Sequence, residues 1–201
     1  MKKRVRNKKG FSLVEQYKKT WDYLRKSQNF IWTIVGIFFA FVLIGFFVPL
    51  SEQVSESIFK FLEELVGKTK DMSQGELISF LFLNNVQSSF FGFVFGVVLG
   101  IFSIFATALN GFILGFVAAW SVEVAGFSSL WKIFPHGIFE LPAVFISLGL
   151  GLKFGSFIFQ KEVGESFRDY FLNGLRVFFF VVIPLLIVAA IIEGSLIFVF
   201  G

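Results

Sequence analysis

The longest uncharged stretches of the chain decide what it can fold into. Residues 77–122 contain no Asp, Glu, Lys or Arg over 46 consecutive positions, and residues 30–50 contain none over 21. About 20 apolar residues in a helix cross the roughly 30 Å hydrocarbon core of a bilayer. The first stretch is therefore long enough for two spans and the second for one. Because both runs are continuously apolar rather than alternating, they predict membrane helices and not barrel strands.

Composition supports a membrane protein. The chain has 201 residues, of which 56% are hydrophobic and 16% charged, and 33 are phenylalanine. A soluble domain of this length has too little interior to bury so much apolar surface. The fold class that we predict is all-α membrane, a polytopic helical bundle with small-residue packing and short amphipathic interfacial helices. The absence of cysteine excludes disulfides and thiolate chemistry.

The apolar runs predict the organisation of the chain. We expect a basic cytoplasmic tail and interfacial helix over residues 1–29, and a membrane domain over residues 30–201. A break near residues 106–110 should divide the long uncharged run, and an outer loop at 51–83 should carry two short helices, the second starting at the capping-box spacing Ser73–Glu76. The predicted spans lie at about 30–50, 86–105, 109–125, 136–160 and 177–200.

The basic residues are concentrated at the start of the chain. Ten of the 18 Lys and Arg residues precede residue 27, which is typical of a membrane-surface segment and not of a nucleic-acid groove. Ser12 and Glu15 have capping-box spacing, and apolar residues follow at helical intervals. We predict an interfacial helix and an anionic inner leaflet as partner of residues 2–26. A solvated flank with no specific partner is the alternative.

The same charges predict the orientation. With the N-terminus inside, the predicted inner segments hold 14 Lys and Arg residues and the outer segments hold 4. Positively charged flanks stay in the cytoplasm. We therefore predict a multi-pass protein of the cell membrane with its N-terminus in the cytoplasm and its C-terminus outside.

Small residues recur every fourth position in three of the spans. Such ridges let helix backbones approach closely in lipid. We favour packing within one chain, with homodimerisation as the alternative. The predicted packing glycines are Gly92, Gly96, Gly100, Gly111, Gly115, Gly151 and Gly155.

The stretch from Pro135 to Ala143 holds the only histidine of the chain. His136 and Glu140 are one helical turn apart on one face. Pro135 suits the first turn of a helix, and Pro142 should kink it. Ionisable groups in lipid usually face the bundle interior. The span directions then predict one polar intramembrane cluster in the outer half of the bundle, made of Asn84, Asn85, His136, Glu140 and Glu193.

The residues of this cluster have the chemistry for several roles. A metal site needs several His, Cys or carboxylate ligands, and one histidine without cysteine gives it little support. No serine nucleophile motif or phosphate-binding loop stands out. We favour a structural hydrogen-bonding cluster, and a proton or ion path is the alternative. No catalytic residue, metal or cofactor is predicted.

The motif residues also carry a family resemblance. Residues 135–143 resemble a signature of the stage II sporulation protein M family, through Pro135, His136, Gly137, Glu140, Leu141 and Pro142. Asn84-Asn85 and Asn110-Gly111, followed by Gly115, resemble further marks of that family in the same order. The resemblance covers roughly residues 30–200 and implies a multi-spanning membrane protein, not a known enzyme. In endospore formers, the sporulation member localises peptidoglycan-degrading partners at the septum.

Two functions therefore remain open at this stage. The first is a non-enzymatic scaffold that assembles membrane or cell-envelope proteins through its outer loop and spans. The second is a small transporter or channel that uses the polar layer around His136, Glu140 and Glu193. Neither involves nucleic acid.

Overall fold

The computed structural model describes residues 12–200, with side chains for all of them except Leu65, residues 131–139 and Phe200. Within this range every regular element is helical. The α-helices are α1 (Leu13–Lys26), α2 (Gln28–Phe47), α3 (Glu52–Thr69), α4 (Gln74–Val94), α5 (Ile101–Ala125), α6 (Leu130–Gly155), α7 (Val163–Val177) and α8 (Ile183–Phe200). Residues 1–11, which belong to the predicted basic tail, and Gly201 lie outside the described part of the chain.

The predicted all-α membrane fold is confirmed. Five helical segments of the described chain are long and apolar enough to cross a bilayer. The second, third and fourth of these helices begin well before their predicted first residues. The second span begins at Gln74 rather than at residue 86, because Ser73 and Glu76 form the capping box that the sequence indicated. That helix continues unbroken to Val94, so the predicted second short helix of the outer loop is the first part of α4.

The break in the long uncharged run lies at Val98–Gly100, and the predicted break at residues 106–110 is wrong. Polar side chains at the predicted position bond back to their own helix and leave it intact. Thr107 Oγ1 donates to the Ser103 carbonyl at 2.6 Å, and Asn110 Nδ2 donates to the Ala106 carbonyl at 2.8 Å. The observed turn uses left-handed backbone at Leu99, with φ 55°, and at Gly100, with φ 71°.

The last two spans also differ from prediction. Helix α6 begins at Leu130, so Pro135 is not at its start, and the predicted span 136–160 starts too late. The predicted polar segment before the fifth span is the amphipathic helix α7, which continues into α8 through a π turn at Phe178–Val182. The π turn lies directly before Pro184, whose ring nitrogen cannot donate to the preceding turn.

Helices α2 and α5 pack closely through glycines. A Cβ atom at Gly111 or Gly115 would collide with the carbonyl oxygens of Phe38 and Val42 on α2. Gly45 of α2 lies in the same way against the backbone of Phe112. The glycines of this pair therefore face a neighbouring helix of the same chain.

Helices α4 and α6 form the second close pair. A Cβ at Gly96 would collide with the backbone of Gly151, and one at Gly155 would collide with the turn at Gly100. Gly92 lies against the side chain of Leu148. The Oγ of Ser147 on α6 donates to the Ser89 carbonyl on α4 at 2.7 Å, and this bond is buried. A short hydrogen bond of this kind holds helices together where lipid offers no competing partner.

An aromatic core joins α4, α6 and α7 at one end of the bundle. Phe93, Phe154 and Val177 are buried there, and Tyr23 of α1 belongs to the same cluster. The ring centroids of Phe93 and Phe154 lie 5.7 Å apart. Helix α1 leads into α2 and meets α7 at this end. Helix α3 follows α2 in the chain and therefore lies at the opposite end of α2.

We predict that Gly96→Ala lowers the melting temperature in detergent and that Gly36→Ala does not. A methyl group at Gly96 would enter the backbone of Gly151, and overpacking costs about 1–3 kcal/mol. Nothing lies within 4 Å of a Cβ at Gly36, so alanine there should gain about 1 kcal/mol of helix propensity. Thermal unfolding followed by circular dichroism compares the two. Equal melting temperatures would show that the α4–α6 pair tolerates a wider spacing.

Candidate functional site

A large cavity lies between α2, α4, α5 and α6. We call it the cleft, and it encloses about 940 Å³ around Asn84, Asn85, Asn110 and Glu140. Helices α4 and α5 touch near the turn that joins them, where Ser103 Oγ donates to the Gly92 carbonyl at 2.9 Å. Further from the turn, α4 packs on α6 and α8 whereas α5 packs on α2. The two helices therefore diverge, and the cleft fills the space between them.

The walls of the cleft are mostly apolar and rich in aromatic rings. Phenylalanines from three of its helices line it, at Phe38, Phe39, Phe91, Phe102 and Phe105. Phe91 of α4 and Phe102 and Phe105 of α5 are exposed. Exposed apolar side chains on membrane-spanning helices face lipid, so the cleft opens sideways towards the hydrocarbon.

Polar side chains are grouped on the same walls. They are Asn84, Asn85, Ser88, Ser89, Asn110 and Glu140. Asn85 and Ser89 are buried and Glu140 is half-buried, whereas the other three are exposed to the cleft. Asn84 Nδ2 donates to Asn85 Oδ1 at 3.4 Å. The arrangement can offer hydroxyl and carboxamide groups, and one carboxyl group, to a molecule entering from the lipid.

These groups lie near the middle of their helices, deeper than predicted. Asn84 and Glu140 each follow the first residue of their helix by ten positions, about 15 Å at 1.5 Å per residue. Asn110 follows the start of α5 by nine positions, about 13 Å. The predicted spans started too far along the chain, which placed the same residues too near one surface.

Three residues of the predicted polar cluster lie together. Asn84, Asn85 and Glu140 share the cleft, and the side chain of His136 lies outside the described part of the chain. The same holds for the motif residues Pro135 and Gly137, whereas Leu141 lines the cleft. Glu193 is buried but is not among the described lining residues.

Glu193 lies instead next to the first turns of α4. Its neighbour Gly194 packs on Ile78, and Gln74 Nε2 donates to Ser195 Oγ at 3.2 Å. Ile78 precedes Asn84 by six residues, about 9 Å along the helix. Glu193 therefore lies nearer to the start of α4 than Asn84 does. Among the described residues, no three His, Cys, Asp or Glu side chains are grouped closely enough to hold a metal ion.

A second, charged pocket lies at the other end of α6. We call it the lysine pocket; it encloses about 530 Å³ and is lined by Lys19, Lys26, Lys153, Asp22 and Asp169, among others. Lys153 is only 6% exposed. Its Nζ donates to Ser27 Oγ at 3.0 Å and to the Lys26 carbonyl at 3.5 Å. It also lies 3.8 Å from the ring centroid of Tyr23, which is a cation–π contact.

Lys153 therefore fastens the C-terminal end of α1 to the spanning bundle. The last carbonyls of a helix lack partners within the helix and attract a cation. The sequence predicts for Lys153 only a share in the charge that sets the orientation of the chain. The sequence feature that points to a specific role is that Lys153 is the one charged residue between Glu140 and Lys161.

Comparisons with known proteins agree with this architecture. The sequence model of the stage II sporulation protein M family matches residues 34–196 of the chain. An uncharacterised protein of Methanocaldococcus jannaschii is 28% identical over 204 residues, which cover 98% of this chain and 86% of that protein. No solved structure gives a significant match. The family match includes the cleft and Lys153 and leaves α1 outside.

We predict that Lys153→Met loosens α1 without unfolding the spans. The variant keeps a side chain of similar length but loses the cation–π contact and the bonds to Ser27 and Lys26, together worth about 1–3 kcal/mol. Hydrogen exchange of α1 amides, measured by mass spectrometry, should become faster by about tenfold or more. Lys161→Met is the control, because Lys161 is exposed. Unchanged exchange in Lys153→Met would show that the other contacts of α1, such as that between Gln16 and Arg176, hold it without Lys153.

Proposed function

This chain belongs to the stage II sporulation protein M family, and from that premise we propose that it is a non-enzymatic membrane scaffold. In this proposal it assembles or localises partner proteins at the cell membrane, with the segment after α2 as their docking site. The family resemblance drawn from the residue 135–143 motif is confirmed by the match over residues 34–196. Membership supports a membrane protein of the sporulation type, and the scaffold role is our inference.

The observation that carries the proposal is the isolation of α3. None of its described side chains is buried, although the helix is 18 residues long. Its ring contacts to the bundle run through Phe59, whose centroid lies 5.3 Å from that of Phe116 and 5.2 Å from that of Trp120. Val54, Phe61 and Val66 are 45%, 50% and 64% exposed. An amphipathic helix with none of its described side chains buried offers an apolar face to another molecule.

The charge of α3 favours a protein partner over the membrane surface. It carries four glutamates and two lysines, whereas helices that lie on membranes are usually rich in Lys and Arg. Helix α1 has that basic composition and α3 does not. Glu56 with Lys60 and Glu64 with Lys68 have the spacing that stabilises a helix by itself. The helix can thus remain formed while its apolar face is free for docking.

We predict that the double variant Val54→Ser, Phe61→Ser loses partner proteins and keeps its fold. Partners are fixed on intact cells with an impermeant cross-linker, purified with the tagged chain and quantified by mass spectrometry. Their yield should fall at least about tenfold, because an apolar anchor is often worth more than 1.4 kcal/mol. The melting temperature should stay the same, since neither side chain is buried.

Leu172→Ser on α7 is the matched control, because Leu172 is a similarly exposed apolar residue at the other end of the bundle. A cysteine at Lys68, labelled by an impermeant thiol reagent, tests the predicted outer position of α3. An unchanged set of cross-linked proteins in the α3 variant would contradict the proposal, as would failure of position 68 to label.

The second candidate is a small transporter or channel, and the cleft is the observation in its favour. Glu140 lies at mid-membrane depth in a space large enough for a solute. Against a through-path, the cleft narrows towards the turn at Val98–Gly100, where Gly96 and Gly100 pack on Gly151 and Gly155. A solute pathway across the membrane would have to separate the helices at this glycine contact.

Glu140→Gln separates the two functions. A glutamine still forms hydrogen bonds, so a scaffold should keep both its melting temperature and its cross-linked partners. A proton or ion path should lose flux in reconstituted vesicles, because a titrating carboxyl group is then required. Proton flux in vesicles that contain the parent chain, abolished by Glu140→Gln, would replace the scaffold proposal.

A further inference from the structure

We propose that the cleft binds an uncharged long-chain lipid alcohol, such as a diacylglycerol, with its hydroxyl group among Asn84, Ser88 and Asn110. This inference goes beyond scaffolding and does not depend on it. It rests on the place of the cleft in the membrane, on the chemistry of its walls and on its size.

The side chains of Asn84, Ser88 and Asn110 retain unused hydrogen-bonding capacity. A carboxamide has two N–H donors and an acceptor oxygen. In the described part of the chain, Asn110 donates to the Ala106 carbonyl and Asn84 donates to Asn85. Both side chains are exposed to the cleft, as is Ser88. Hydrocarbon tails cannot satisfy these groups, and unsatisfied polar groups in lipid are unfavourable.

The depth of these groups favours a lipid without a charged headgroup. Asn110 lies near the middle of α5, a helix of 25 residues, and Asn84 and Ser88 lie near the middle of the 24-residue segment that begins with α4. Charged headgroups are strongly disfavoured at the centre of the bilayer. A single hydroxyl group on a long hydrocarbon chain is desolvated at much lower cost and can reach that depth.

The charges on the walls of the cleft also favour an uncharged lipid. Glu140 is the only charged residue among the described lining residues, and no Lys or Arg is among them. Among the described lining residues, a phosphate would therefore meet a carboxyl group and no cation. The Phe-rich remainder of the walls suits hydrocarbon tails, and the three exposed neutral polar residues, Asn84, Ser88 and Asn110, suit a hydroxyl group.

The volume favours a lipid over the helix of a partner protein. Small-molecule pockets have volumes of about 300–1,000 Å³, and the cleft, at about 940 Å³, falls at the upper end. A spanning helix about 30 Å long and about 10 Å wide displaces roughly 2,400 Å³. The cleft is too small to enclose such a helix.

The experiment compares two lipids that share their tails. Delipidated protein in detergent is mixed with dioleoylglycerol or with dioleoyl phosphatidic acid, and bound lipid is counted by native mass spectrometry. We expect one retained dioleoylglycerol, and at least about fivefold weaker retention of phosphatidic acid. Equal retention of the two would overturn the inference about the polar end of the ligand.

Variants then test the location. Ala106→Trp should fill the cleft and abolish dioleoylglycerol retention, whereas Val188→Trp, on an exposed apolar face of α8, should leave it unchanged. Ala118→Trp, also in the lining, replaces Ala106→Trp if that variant does not fold. Asn110→Leu should weaken retention by about three- to tenfold, the worth of one hydrogen bond. Retention that survives a folded tryptophan variant would place the lipid elsewhere and refute the proposal.

A photo-cross-linking amino acid at Leu109, which lines the cleft, identifies the occupant in native membranes. Cross-links to uncharged lipid support the inference. Cross-links to the helix of another protein would overturn it.

Discussion

Close backbone contact at glycine is the interaction on which the rest of this bundle depends. Lipid tails are as apolar as leucine, so spanning helices do not gain the hydrophobic energy that drives soluble cores together. They associate where backbones come close enough for dispersion contacts and short hydrogen bonds. Gly111 and Gly115 provide this for α2 with α5, and Gly151, which lies against the Gly92 carbonyl, provides it for α4 with α6.

The cleft is a consequence of these two pairings. Helices α4 and α5 are consecutive in the chain and joined by a short turn, yet each packs mainly on a different partner. The turn can be short because Leu99 and Gly100 adopt left-handed backbone, an uncommon conformation for a leucine. Gly155, packed against this turn, leaves room for it. The same contacts that close one end of the bundle thus hold the other end of α4 and α5 apart.

The sequence was most informative where a physical rule acts locally. The number of spans followed from uncharged length, and the start of α4 followed from Ser73 and Glu76, although the predicted span began too late. The helix break could not be located by the same means. Thr107 and Asn110 look like turn residues, and only their bonds to their own helix show otherwise.

The candidate site was predictable in its chemistry but less so in its geometry. The sequence indicated that Asn84 and Glu140 would share a polar layer, and both line the cleft. It did not indicate an open cavity, because the divergence of two helices depends on contacts distant in the chain. Lys153 was missed for a related reason. Its partners Ser27 and Tyr23 precede it by more than 120 residues, which no local pattern reveals.

The long-range anchoring of α1 has a consequence for the order of assembly during synthesis. Its partners are Lys153, Tyr170, which accepts from Tyr23 Oη, and Arg176, which donates to Gln16 Oε1 at 2.8 Å. The ribosome adds about 5–20 residues each second, so α1 emerges roughly 7–30 s before these partners. The first helix to be made is thus among the last to be secured. Its docking requires α6 and α7 to have been made, but not α8.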